Sequence, residues 1–248
     1  MPVQPSNTHR SASDFYLPPL AGASTFAEAA LRLENLRTVL DVLDRLTPDA
    51  YSQFLGAYCR DGLSQFGEGW RYADINTILH TLASMLKPAR YLEIGVRRGR
   101  SMAMVAAVAP HCAMTGFDLW IDDYAGMDNP GPDFVQRELA AVGFRGSLDL
   151  ISGNSHETVP RYFREHPDAY FDLITVDGDH TLEGAREDLN TVIPRLEIGG
   201  ALVFDDVSSQ YHPYLGALWD EVISDRCRWS SWRFDDAGFG IAFAIRKQ

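Results

Sequence analysis

The sequence predicts an α/β protein: a doubly wound, mostly parallel sheet of seven strands, with an antiparallel last strand and a helical extension in front. Three observations carry this. From residue 89 onward, short apolar runs alternate with helical segments, the pattern of a parallel sheet covered on both faces. The last stretch differs, with two strands at 228–234 and 240–246 joined by the short turn Asp235-Asp236-Ala237-Gly238. A terminal hairpin on a parallel sheet makes one strand antiparallel. Ahead of residue 70, apolar residues recur at helical spacing instead.

Taken in order, residues 1–22 are rich in Pro, Ser and Asn and read as an arm. Ser24 is placed to cap a long amphipathic helix over 25–46, with leucines at 31, 33, 36, 40, 43 and 46. Thr47-Pro48 restarts a second helix over 48–59. These apolar stripes predict core or a homo-oligomer interface, and the whole extension, 23–69, is expected to cover a substrate site. A glycine-marked loop over 62–69 leads to Trp70, after which a helix over 74–86 stops before Pro88. The domain proper then runs over 70–248. Its strands fall at 89–94, 113–117, 148–151, 171–176 and 201–204, ahead of the terminal pair.

Composition narrows the function. Apolar residues are 46% of the 248, enough for a sizeable core. No apolar run approaches the ~18 residues of a membrane span. Residues 1–15 lack a basic patch followed by an apolar stretch, so a cytoplasmic location is expected. Cys59, Cys112 and Cys227 lie far apart, without metal or redox spacing, and are expected to be packed, reduced thiols. A net charge of −12 argues against a nucleic-acid partner. It suits a small-molecule site in which clustered carboxylates hold a divalent cation.

The stretch YLEIGVRRGRS, 91–101, is where that site begins. A buried strand ends at Glu93, Gly95 and Gly99 form a turn, and Ser101 opens a helix. Strand, glycine turn and helix bring a ligand close to bare backbone N–H groups. The spacing lacks the third glycine of the dinucleotide fingerprint, which disfavours a nicotinamide dehydrogenase. In a doubly wound sheet, ligands sit at the carboxyl ends of the strands. Those ends carry Glu93, Asp118, Asn154-Ser155, Asp177 and Asp205-Asp206. Asp118 stands where a carboxylate bonds the hydroxyls of a ribose, or else caps its strand; Ser155 follows the third strand, where an adenine edge would lie. Asp177, Asp205 and Asp206 end two neighbouring strands, and three unpaired carboxylates so close would repel. Mg²⁺ relieves that repulsion, although caps and turn residues give the same letters. His180, three residues after Asp177, is placed as a general base.

At these residues the chain resembles the class I S-adenosylmethionine-dependent methyltransferases, from roughly residue 70 onward. FDLITVDGDHTLEGAREDL and LEIGGALVFDDV are similar to the macrocin-type and related natural-product O-methyltransferases, many of them Mg²⁺-dependent and acting on sugar hydroxyls. The ending GFGIAFAIRK resembles that family's last, antiparallel strand. The resemblance implies a Rossmann-like methyltransferase fold with S-adenosylmethionine as cofactor. Glu93 and Gly95 would bound the loop around its methionine part, with Gly99 and Ser101 continuing it. Asp118 would take the ribose, Ser155 would lie near the adenine, and Asp177 would border both cofactor and metal. Asp177, Asp205 and Asp206 match the family's metal carboxylates. Related catechol-type enzymes place a lysine base where this chain has His180, which leaves Asp177 or Asp179 as other candidates for that role. The expected activity is Mg²⁺-assisted methylation of a small-molecule hydroxyl, on a sugar moiety of a natural product or a nucleotide-sugar. A metal-independent enzyme or N-methyltransferase, and a non-catalytic protein that retains the cofactor fold, are the alternatives.

Overall fold

The computed structural model describes residues 20–123 and 128–248. Three helices lead: α1 (Ala23–Ala30), α2 (Leu33–Leu43) and α3 (Ala50–Phe66), the last running into one 3₁₀ turn, Gly67–Gly69. The first two replace the single helix expected over 25–46, and α1 is capped by Gly22 rather than Ser24. A tertiary clamp sits at the break. Asn35 donates through Nδ2 to the carbonyls of Ala30 (2.9 Å) and Thr77 (3.1 Å), and its Oδ1 lies 2.6 Å from His80 Nδ1. The α3 helix begins after Asp49 instead of at Pro48, because Asp49 and Ser52 form a reciprocal capping box. It then continues through the expected loop. Gly62 permits this, since a β-carbon there would stand 2.2 Å from the Trp70 ring.

Helix α4 (Ile75–Leu86) opens on a second capping box, Asp74 with Thr77. The alternating part follows: β1 (Arg90–Ile94), α5 (Arg100–Val108), β2 (Ala113–Asp118), α6 (Pro132–Ala141), β3 (Leu148–Ser152), α7 (Ser155–Glu165), β4 (Phe171–Val176), α8 (Leu182–Val192), β5 (Leu196–Asp205), α9 (Leu215–Val222), β6 (Trp229–Phe234) and β7 (Ile241–Arg246). The seven strands lie in the order β3-β2-β1-β4-β5-β7-β6, and β7 runs antiparallel to both its neighbours. The fold class expected from sequence is the one observed. The fifth strand starts earlier than its apolar run suggested, at Leu196.

Both sheet faces are covered. One core joins Phe26, Leu36, Val39 and Leu40 of the leading helices to Leu79 of α4, Met102 and Met104 of α5, and Leu173 and Phe243 of the sheet. The other packs Phe163, Leu189 and Trp219 against Leu92, Ile174 and Phe204. The leucines that suggested an oligomer face, Leu36, Leu40, Leu43 and Leu46, are thus buried within the protomer. Cys59 and Cys112 are packed as expected; Cys227 is exposed, in the turn ahead of β6. Among the described residues no helix is long and apolar enough to cross a membrane. Strand β1 pairs with β2 on one side and β4 on the other. The order reverses there, which opens a crevice at the strand tips.

Candidate active site

The first β–α loop is pinned from three sides. Gly95 has φ +89°, and a β-carbon there would lie 1.8 Å from the Asp177 carbonyl oxygen. The contact follows from ladder geometry, because the Asp177 N–H donates to the Ile94 carbonyl at 2.9 Å. Gly99, at φ +71°, turns the chain into α5 against Val135. Glu93 braces the loop from beneath and is fully buried. It accepts from the Tyr91 hydroxyl at 2.5 Å and from the Ser101 hydroxyl. Burial pushes its pKa up to about 8, against those two hydrogen bonds and with the Asp177 and Asp118 carboxylates adding to the rise. Asp118 draws the loop toward β2. Its Oδ2 accepts the Arg97 N–H (2.7 Å), and its Oδ1 accepts the Trp120 N–H (2.6 Å) and Asn129 Nδ2 (3.3 Å). An ionised carboxylate accepts about four hydrogen bonds, so capacity for a ligand hydroxyl is left.

Ser155 opens α7, and its hydroxyl bonds Asp188 on α8, a residue sequence reasoning missed. Asp188 is only 1% exposed. Burial raises its pKa to about 6, although Ser155, His156 and the Asp179 backbone N–H favour its charged form. The signal for it was present: an acid between the apolar residues Ala185, Leu189 and Val192 on one helix face. Asp179 itself turns toward α8, accepting the Thr181 N–H at 2.7 Å.

At the tips of β4 and β5, His180 lies between Asp177 and Asp206. His180 Nε2 lies 3.4 Å from Asp177 Oδ1 and 3.1 Å from Asp206 Oδ2. Burial alone would lower the His180 pKa, but its hydrogen bonds to the two carboxylates carry it up to about 11. Burial raises Asp177 too, against its hydrogen bond to His180. With 31% of that side chain open to water, solvent screens part of the cost. Asp205 is held well above the usual carboxylate range by burial and by its neighbours Asp177 and Asp206. Asp206 adopts a left-handed φ of +61°, a strained conformation for a residue with a side chain. The oxygen donors suit a hard cation. In the present arrangement, however, the imidazole stands between two of them, and among the described residues no three or more His, Cys, Asp or Glu are grouped to hold an ion.

Two further parts of the site come from distant sequence. The His212 ring stacks on that of His180, with centroids 5.1 Å apart. The Tyr214 hydroxyl donates to the His180 carbonyl at 2.8 Å and lies 3.1 Å from His212 Nδ1. The start of α3 is riveted to the β1–α5 loop through Asp49, which meets Arg98 and Arg100 at 3.2 Å each. Arg100 in turn lies 5.0 Å over the Tyr51 ring. Although 44% of Tyr51 is open to water, desolvation around its phenol pushes it up to about 12, helped by the field of Asp74, Asp205 and Asp177 and opposed by Arg100. Of the loop over 122–132, expected to shape the acceptor site, residues 124–127 lie outside the described ones. Its far flank holds Asp128 against Arg98 at 2.9 Å.

The sheet order and the strand-tip site are those of a Rossmann-like α/β fold. Residues 92–207 match the model of a family described as a methyltransferase domain. Solved structures share the fold. The O-methyltransferase TomG from Streptomyces achromogenes, involved in tomaymycin synthesis and solved with SAM, is 19% identical, covering 82% of this chain and 92% of that one at a TM-score of 0.56. An O-methyltransferase from Bacillus cereus, in complex with SAH, is 13% identical over 91% of this chain and 98% of that one, at 0.55. CalS11, a TDP-rhamnose 3'-O-methyltransferase of calicheamicin biosynthesis, is 20% identical over 86% and 93%, at 0.53. At these identities the likeness is one of fold. No curated protein matches the chain.

Proposed function

We propose that the chain methylates a hydroxyl of a small molecule, on a sugar moiety of a natural product. The observation that carries this reading is the meeting of His180 with Asp177 and Asp206 at adjoining strand tips, beside the loop of Gly95. S-adenosylmethionine, when bound, would supply an electrophilic methyl group for the acceptor oxygen. Asp118 would hold its ribose, Ser155 would border its adenine, and the 95–101 loop would lie along its methionine part. The acceptor proton passes into the hydrogen-bonded set of His180, Asp177 and Asp206. Orientation of the two reactants supplies most of the acceleration. Asp177, Asp205 and Asp206 are the residues that would hold Mg²⁺, which lowers the pKa of a bound hydroxyl. The imidazole between two of them favours the metal-independent reading instead, and activity in excess EDTA separates the two.

Methyl transfer to a panel of glycosides and phenols tests the reaction itself. His180→Ala is expected to lower turnover by about 10²–10⁴-fold with little change in cofactor affinity. The pH profile assigns the proton acceptor. His180 loses its own proton only toward pH 11, so turnover that climbs toward that pH marks it as the base. Turnover that is flat there gives the role to a carboxylate, with His180 holding it in place. With Leu36, Leu40, Leu43 and Leu46 buried inside the protomer, they are not available to a homo-oligomer, and light scattering on the full chain decides its assembly.

A further inference from the structure

We infer that the acceptor carries an uncharged aromatic aglycone, and that the outward face of α3 is the surface on which it lies. This rests on the hydroxyl-methylation reading of the strand tips. Tyr51, Phe54, Tyr58 and Phe66 recur at helical spacing along α3, and all four are exposed, Phe54 by 61%. Trp70 is set into this stripe at Gly62, where any side chain would collide with its ring. The rings from Phe54 onward form a continuous path: Phe54 to Tyr58 at 6.0 Å, Tyr58 to Trp70 at 5.9 Å, Trp70 stacked on Tyr72 at 5.2 Å and near Phe66 at 6.5 Å. Tyr51 lies one turn before Phe54, and from Tyr51 to Tyr58 the helix rises about 10 Å. That is room for a sugar followed by an aromatic ring system.

The stripe is continuous with the chemistry at one end only. Tyr51 lies under Arg100, next to Asp49, which ties α3 to Arg98 and Arg100 of the loop, and the Tyr72 hydroxyl lies 3.2 Å from Asp74 Oδ2. An acceptor with its sugar hydroxyl at the strand tips therefore points its remainder along α3. Charge at the mouth selects what that remainder is. Asp74, Asp177, Asp205 and Asp206 face it. Of the nearby cations, Arg98 and Arg100 are tied to Asp49 and His180 to Asp177 and Asp206, with Arg97 also on the loop. A diphosphate would enter against like charge, whereas a neutral ring gains stacking and loses nothing to repulsion. The acceptor is then an aryl glycoside and not a nucleotide-sugar.

Calorimetric titration of the SAH-loaded protein with 4-nitrophenyl β-glucoside and with UDP-glucose tests this. The aryl glucoside is expected to bind at least about tenfold more tightly. Phe54→Ala, at an exposed position, is expected to weaken it by about three- to tenfold while the SAH affinity and the mass in light scattering stay unchanged. Three results overturn the inference: UDP-glucose bound as well or better, no measurable aryl glucoside binding, or Phe54→Ala without effect on it. A change of assembly mass in Phe54→Ala also overturns it, since the stripe is then an interface between copies. Failure of the wild-type protein to bind SAH in the first titration sinks the methyltransferase reading of the site, and this inference with it.

Discussion

Glu93 occupies the one place in the site where a carboxylate is wholly sealed from water, and its surroundings hold a proton on it up to about pH 8. The linkage has a definite sign. A carboxyl whose folded pKa is raised contributes stability that is complete below its unfolded pKa of 4.5 and is lost as pH rises through about 8. The wild-type protein should therefore lose stability across that window, and Glu93→Gln should flatten the loss, because the amide keeps the shape and cannot ionise. Urea midpoints at several pH values check this. A parallel slope in the variant would assign the pH dependence to other groups.

At the scale of elements, the contact between the tips of β1 and β4 is the tightest constraint on the site. Gly95→Ala would put a methyl group 1.8 Å from a backbone oxygen at a left-handed φ. It should cost about 3 kcal/mol or more, with loss of cofactor binding. Gly67→Ala has nothing within 4 Å of the added carbon, but φ +56° with ψ −143° is a conformation nearly reserved for glycine, so backbone strain alone should cost about 1–3 kcal/mol. Thermal unfolding of the two variants side by side separates collision from backbone strain. The same elements set how much was legible in the sequence. The strands could be read because apolar runs and glycine turns are local signals, and their tips then followed from topology. The break between α1 and α2 could not, since it depends on Asn35 reaching Thr77, forty-two positions away. Nor could the stacking of His212 on His180, because it joins segments whose meeting only the finished sheet decides.

For the molecule as a whole, the leading helices are part of the core. Phe26, Val39 and Leu40 share it with Leu79 and Met102, behind the very loop that holds the site. A chain begun at residue 47 would leave that face of α4 and α5 open to water. It is expected to lose its cooperative thermal transition and to bind hydrophobic dye. A sharp transition in the shortened protein, with S-adenosylmethionine affinity intact, would make the extension an independent attachment.

Strand β7 lies between β5 and β6, although both precede it in the chain. A ribosome therefore makes both flanking strands before the one that joins them. Until residues 241–246 emerge, β6 has no neighbour, and the edge of β5, which ends at Asp205, stays open. The wait reaches back to α1, whose Ala23 N–H donates to Ser230 on β6, 207 positions later. That half of the sheet closes only once residues 241–246 are available, and a chain stalled before them leaves β5 and β6 without the strand that joins them.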